Sequence, residues 1–275
     1  MAPVLRGATG RSNTNSGPNR LLGCEVRATL AGYISSPISL ERYSSVDKTN
    51  TDVGIIYLRP ISEAGEGEGF IVSLTTKLAP KDARKEYEKG LASAQAKKWS
   101  DAEQAFLKAV TVYPKYSIAW FELGRVYVQE KKIDQALHAQ EQAVQIEPKY
   151  VSPYGELATL AFQQKNWADV VRYTSEYIKL SVFTPPDIYF SNAAANYNLH
   201  QLDDAEKSAR IGARLDARHN IPRINYLLGL ILAQKDDFQG AAENLRLYLQ
   251  FSPTATDTAK VQQQLAEIEK AGSKQ

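Results

Sequence analysis

The stretch Trp120-Phe-Glu-Leu123-Gly124-Arg-Val-Tyr127 decides the fold, because its order of large and small side chains recurs along the chain. Small residues recur in register with Gly124 at intervals of about 34 to 36 residues, a period typical of helical repeats. This first series is Gly90, Gly124, Ala158, Ala193 and Gly229. A second series follows it in the same register: Ala102, Ala136, Val170, Ala205 and Ala241.

Two helices that cross closely need a small side chain on each axis, so the two series predict five pairs of helices. Prolines close three of the units, at Pro114, Pro148 and Pro253, where they cannot continue a helix. The predicted core residues are Trp120, Leu123, Tyr127, Leu137, Phe106, Leu228 and Leu245. Val170 and Thr174 fit this pattern less well, and residues 183–186 lengthen the third turn, so we expect repeats three and four to meet at an altered angle.

This pattern resembles that of tetratricopeptide-repeat (TPR) proteins. The resemblance implies a mainly α fold, a right-handed superhelix of about five helix pairs that recognises other polypeptides. The predicted repeats span residues 83–116, 117–150, 151–185, 186–221 and 222–255. After Pro253, apolar residues Val261, Leu265 and Ile268 share one face, which predicts a capping helix over 256–271 in a domain of residues 79–275.

The first part of the chain has a different pattern. Residues 1–21 are rich in Gly, Ser, Asn and Pro and are predicted to be disordered. Residues 22–78 contain short alternating runs that predict a small β segment. Its predicted strands are at 24–30, 38–40, 53–58 and 70–74. The segment resembles the second half of a carboxypeptidase regulatory-like β-sandwich, which precedes TPR repeats in some bacterial proteins, although the expected preceding strands and second cysteine are absent.

The charge and the apolar content of the chain argue against some classes of partner. Thirty-three Lys plus Arg against 31 Asp plus Glu gives a formal net charge of +2, which argues against nucleic acid as a partner. No apolar run predicts a transmembrane helix, and the N-terminus lacks the apolar core of a signal peptide. The chain as written therefore predicts a cytoplasmic protein, whereas the family resemblance favours export or the cell envelope. Leu21-Leu22-Gly23-Cys24 mimics a lipoprotein cleavage box without the apolar segment that lipidation needs.

No pattern indicates an enzyme, a cofactor or a metal site. His138, His200 and His219 lie far apart without a metal-ligand spacing. Acidic pairs at 203–204 and 236–237 precede predicted second helices, where they complement the helix dipole. Residues 65–69 are acidic and glycine-rich, a mobile turn rather than a phosphate loop.

The resemblance places a set of mainly aromatic residues on the concave face, as a peptide-binding groove. They are Tyr87, Leu91, Phe121, Arg125, Gln129, Phe162, Phe190, Tyr197, Asn198, Tyr226 and Leu230. The alternative is that these aromatics pack between repeats. The basic clamp that some TPR proteins use for acidic tails is missing, since its positions hold Tyr87, Leu91, Glu122, Ser152 and Glu156.

Two functions remain open from sequence. The leading hypothesis is a non-enzymatic scaffold that binds a peptide or helix of a partner protein in this groove. The alternative is a structural or spacer protein of the cell envelope, whose β segment contacts glycan or another surface domain.

Overall fold

The computed structural model describes residues 78–273 and, before them, the strand residues 25–26, 29–30, 33–35, 38–39 and 58–60. The chain divides into two units, residues 1–74 and 75–275, which we describe separately.

The described residues of the first unit form five short strands. They are β1 (Glu25–Val26), β2 (Thr29–Leu30), β3 (Tyr33–Ser35), β4 (Ile38–Ser39) and β5 (Leu58–Pro60). β1 pairs with β4, and β3 lies between β2 and β5, with every pairing antiparallel. The described residues of the predicted strand at 24–30 belong to β1 and β2, and β3 was not predicted. Of the predicted run at 53–58, only Leu58 is among the described residues, and it begins β5. The predicted strand at 70–74, Cys24 and residues 1–21 lie outside the described residues.

Residues 78–273 contain eleven helices of 12 to 15 residues. The first helices of the five pairs are α1 (Lys81–Gln95), α3 (Ser117–Gln129), α5 (Val151–Gln163), α7 (Pro186–Asn198) and α9 (Arg223–Gln234). The second helices are α2 (Trp99–Val112), α4 (Ile133–Ile146), α6 (Trp167–Leu180), α8 (Leu202–Leu215) and α10 (Phe238–Phe251). A final helix, α11 (Thr258–Gly272), packs on α10 and lies where the capping helix was predicted.

The close crossing of the two helices in each pair explains why small residues recur at a regular spacing in this chain. A Cβ atom added to Gly90 would lie 2.6 Å from ring carbons of Phe106, and one added to Gly229 would lie 2.8 Å from Leu245 Cδ2. On the facing helices, Ala102 and Ala241 are fully buried. The close approach that the sequence pattern predicted is therefore present, since larger residues would separate the axes.

Each first helix also contacts the first helix of the next repeat, so α1, α3, α5, α7 and α9 form one continuous inner layer. The turn after each of these helices contains a non-glycine residue with positive φ: Lys97, Lys131, Lys165, His200 and Asp236. The amide of the following residue then bonds back into the helix, as Lys132 N does to Tyr127 O at 2.9 Å. This C-terminal cap reverses the chain in the same way in every repeat.

Most of the predicted core is buried. Phe106, Leu123, Leu245, Leu228 and Tyr127 are all buried residues. Trp120 and Leu137 are only partly buried, which corrects their placement in the core. The indole explains the position of Trp120, because Nε1 donates to Pro114 O at 2.9 Å and this polar atom must reach a partner at the repeat turn.

Val170 and Thr174, expected to fit poorly, are instead completely buried. The hydroxyl of Thr174 donates to Val170 O at 2.6 Å, so its polar atom is satisfied within α6. The altered angle between repeats three and four stays a prediction.

Buried tyrosines make the stability of the helical unit sensitive to alkaline pH. Burial raises the pKa of Tyr173 and of Tyr248 to about 12. The unfolded chain releases these protons near pH 10, about two pH units before the folded protein. The stabilisation is thus complete below about pH 10 and falls as the pH rises towards 12.

We therefore expect the urea midpoint, followed by circular dichroism, to fall between about pH 10 and 12. Tyr248→Phe removes one ionisable group and should make that fall shallower. An identical pH dependence in the wild type and the variant would contradict this assignment.

Candidate peptide-binding groove

A pocket of about 310 Å³ lies on the inner layer between the first two repeats. Its lining residues come from α1, α3 and the first residue of α2: Leu91, Ala94, Gln95, Trp99, Glu122, Arg125, Val126 and Gln129. Since α1 and α3 are both first helices, the pocket belongs to the layer where the sequence placed the groove.

An ion pair sits at this pocket. Arg125 Nη1 donates to Glu122 Oε2 at 3.2 Å, with the arginine side chain 54% exposed and the glutamate side chain 15% exposed. The guanidinium carbon lies 5.7 Å from the ring centroid of Phe121. Burial raises the pKa of Glu122, Arg125 opposes that rise, and Glu156 adds to it. A largely buried carboxylate thus holds an exposed guanidinium in a defined position.

The remaining lining combines two kinds of surface. Leu91, Ala94 and Val126 are apolar, and the Trp99 ring is partly buried beside them. Gln95 and Gln129 add carboxamides that both donate and accept hydrogen bonds. Such a lining can take an apolar side chain and orient the polar groups next to it.

Three of the predicted groove residues, Leu91, Arg125 and Gln129, meet in this pocket. Sequence reasoning did not assign Gln95 or Trp99 to the binding surface, and it placed Glu122 only at a position of the missing basic clamp. Gln95 lies four residues after Leu91, and Glu122 lies three before Arg125, so helical spacing could have placed both on the same face.

Tyr87 and Phe121 have a different environment. The Tyr87 ring lies 5.7 Å from Phe106 and 5.3 Å from Tyr116, and burial, followed by the nearby Glu122, raises its pKa. Phe121 is only 8% exposed, and its ring meets Tyr150 at 5.3 Å. Both aromatics therefore pack on the tyrosine that directly precedes the first helix of the next repeat, a contact at the boundary between repeats.

The next repeats are joined in the same way. Phe162 lies 6.4 Å from Phe190 across repeats three and four. Tyr197 accepts a hydrogen bond from Gln234 Nε2 at 2.9 Å, which connects repeats four and five. These three aromatics are partly buried and serve as contacts between repeats.

The last predicted residues are also separate from the pocket. Tyr226 donates to Gln264 Oε1 of α11 at 3.2 Å, and Asn198 donates back to Ala194 O at 2.7 Å within its own helix. Leu230 is partly buried in α9. Of the eleven predicted residues, three therefore line this pocket and the other eight lie outside it.

Two further findings concern the described residues alone. Among them, no group of three or more His, Cys, Asp or Glu side chains is arranged to hold a metal ion. No helix in the described part of the chain combines the length and apolar character needed to cross a membrane.

Comparison with known proteins supports the repeat assignment. A family model described as "Tetratricopeptide repeat" matches residues 82–151 and 192–256. A comparison with curated protein sequences gives no match. The match lies wholly in the helical part, so the resemblance of residues 22–78 to a carboxypeptidase regulatory-like domain gains no support from it.

Several solved structures share the fold at low identity. YrrB, described as a TPR protein with an unusual peptide-binding site, is 17% identical with a TM-score of 0.61, over 70% of this chain and 99% of YrrB. MamA from Desulfovibrio magneticus RS-1 is 11% identical with a TM-score of 0.55, over 65% of this chain and 99% of its own. PilF of Pseudomonas aeruginosa is 14% identical with a TM-score of 0.53, over 70% and 88% respectively. Residues 82–151 and 192–256 therefore match the tetratricopeptide repeat, and the helical part of the chain shares the fold of these structures.

Proposed function

We propose that the protein is a non-enzymatic scaffold that binds a segment of a partner protein in the pocket between α1 and α3. The observation that carries this proposal is the Arg125–Glu122 pair beside the apolar side chains of a cavity on the inner layer. The TPR fold is typical of protein interaction scaffolds, and YrrB is described as having a peptide-binding site.

The lining favours a peptide with one apolar side chain followed by a hydrogen-bond acceptor. The apolar side chain would enter between Leu91 and Val126 and be shielded from water there. The hydrogen bonds to Glu122 use only Nη1 of Arg125, so the other guanidinium N–H groups can donate to a peptide carbonyl or carboxylate.

Gln95 and Gln129 would pair with the backbone of the bound segment, since a carboxamide matches both N–H and C=O of a peptide unit. The charged residues in the lining of the pocket are one arginine and one glutamate, not a cluster of cations. We therefore expect binding to depend only weakly on salt.

Arg125→Ala is expected to weaken peptide binding about tenfold, because an arginine central to an interface contributes about 2 kcal/mol or more and the ion pair with Glu122 offsets part of that. The probe is a set of peptides selected from a random library against the full chain, with affinity measured by fluorescence anisotropy.

Arg172→Ala is the matched control. Arg172 lies on the second helix α6, is 60% exposed, pairs with Asp169 at 2.7 Å and stacks on the Tyr173 ring at 4.2 Å. It therefore reproduces the surroundings of Arg125 away from the pocket. Equal affinities of wild type and Arg125→Ala, or an equal loss in both variants, would contradict the proposed binding mode.

A further inference from the structure

A second pocket, of about 400 Å³, lies between the second helices α6 and α8. Its lining residues are Val171, Ser175, Ile178, Lys179, Tyr189, Asn192, Asn196, Gln201, Asp204, Lys207, Ser208 and Ile211. Asn192 and Asn196 of α7 are buried, whereas Ser175 and Lys207 on the flanking helices are exposed. Helix α7 is therefore the floor of the pocket and the two second helices are its walls.

The floor carries carboxamides where the second, third and fifth repeats have apolar side chains, and where the first repeat has Lys89 and Ser93. At the position of Asn192, the second, third and fifth repeats have Leu123, Leu157 and Leu228. At the position of Asn196 they have Tyr127, Ala161 and Leu232. Asn192 is 5% exposed and Asn196 is 3% exposed. Buried amides are unfavourable unless they are hydrogen-bonded, so this departure from the repeat pattern calls for a partner at every polar atom.

The partners of Asn192 lie within the protein. Its Nδ2 donates to Thr174 Oγ1 at 2.8 Å, and its Oδ1 accepts from Ser208 Oγ at 2.7 Å and from Asn196 Nδ2 at 2.9 Å. This network joins α6, α7 and α8. Asn192 is thus fully explained as an internal connection.

In the Asn196 carboxamide, only the Nδ2 group has hydrogen-bond partners within the described residues. Its Nδ2 donates both to Asn192 O at 3.0 Å and to Asn192 Oδ1 at 2.9 Å. Two oxygens at this end fix the orientation of the amide, because a flipped carboxamide would place three acceptors together. Among the described residues, Oδ1 of Asn196 accepts no hydrogen bond, and the residue lines the pocket. This oxygen is open to the pocket, so it can accept a hydrogen bond from a ligand there.

The side chains in the walls of the pocket indicate the polarity and the charge of a ligand that would fit. Val171, Ile178 and Ile211 are apolar, and Gln201 supplies a second carboxamide. Lys207 and Asp204 bring opposite charges to the same pocket, while Lys179 pairs with Glu176 at 3.1 Å. These opposite charges offset one another, so the pocket provides no net attraction that would favour a charged ligand over a neutral one.

We propose that this pocket binds a neutral primary carboxamide on a short apolar stem. One N–H of the ligand donates to Asn196 Oδ1, its carbonyl accepts from Gln201 Nε2, and its stem packs on Val171 and Ile211. The ligand is the side chain of a glutamine in a partner segment or a free amide of that size. This site is independent of the pocket between α1 and α3.

The probe is N-acetyl-glutamine N-methylamide, titrated into the full chain and followed by ligand-observed NMR. We expect saturable binding with a dissociation constant on the order of 1 mM, the range for a ligand of this size. The matching glutamate and norvaline derivatives, which lack a neutral primary amide, should bind at least tenfold more weakly. Butyramide separates the two sources: equal binding indicates a free amide, and weaker binding indicates a peptide segment.

Asn196→Leu is expected to fold, since Leu232 occupies the equivalent position, and to lose binding at least tenfold. Gln201→Ala changes only an exposed side chain and should weaken binding about threefold. Arg125→Ala should leave this binding unchanged. The proposal is overturned if the capped glutamine does not bind, if the norvaline derivative binds equally, or if both pocket variants bind as the wild type does.

Discussion

A single methyl group added at Gly90 is expected to lower the free energy of unfolding by about 1 to 3 kcal/mol. The new Cβ would lie 2.6 Å from two ring carbons of Phe106, a completely buried side chain. Because the ring has no space to move, the helices α1 and α2 must separate. That separation outweighs the roughly 1 kcal/mol that alanine gains over glycine in a helix.

Gly155→Ala is the matched control, since Gly155 also lies within a first helix. Its added Cβ would meet only the edge of the Tyr177 ring at 3.3 Å, and Gly155 is partly exposed. We expect Gly155→Ala to leave stability unchanged or to raise it slightly, measured by urea unfolding. Equal stability of the two variants would mean that the repeat register is misassigned.

Filling the inner pocket should abolish peptide binding without unfolding the protein. Ala94 lines the pocket and is partly buried, so Ala94→Trp would occupy much of its 310 Å³ with an indole. We expect at least a 100-fold loss of affinity for library-selected peptides, because the apolar side chain of the peptide loses its position. The helical circular dichroism should stay unchanged.

Ala92→Trp provides the comparison, since Ala92 is an exposed residue of the same helix and does not line the pocket. It should bind peptides as the wild type does. Retained affinity in Ala94→Trp, with an intact fold, would place the peptide elsewhere on the molecule.

The helix pairs were predictable because their cause is local and periodic. Gly124 and Ala136 recur in equivalent positions since every crossing has the same steric requirement. The periodic pattern did not predict how far the aromatic residues of the predicted groove are exposed. Phe121 is covered by Tyr150, which arrives from the turn before the next repeat, so its burial depends on a neighbour about 30 residues away.

The sequence also contains a pattern that indicates the pocket between α6 and α8. Asn192 and Asn196 stand at positions that are apolar in the second, third and fifth repeats, and comparison of the aligned repeats shows this. What the sequence could not give is the orientation of the amide, which depends on the hydrogen bond from Asn196 Nδ2 to Asn192 O. A polar residue at an apolar repeat position is therefore a reason to look for a local function.

The location of a bound peptide tests the proposed function most directly. A selected peptide carrying a photoreactive group on its apolar side chain is cross-linked to the full chain, and the attachment sites are identified by mass spectrometry. Binding in the inner pocket predicts attachment at Leu91, Gln95, Trp99 or Gln129, with none in Ala94→Trp. Attachment confined to the second helices α4 and α6, or unchanged in Ala94→Trp, would contradict it.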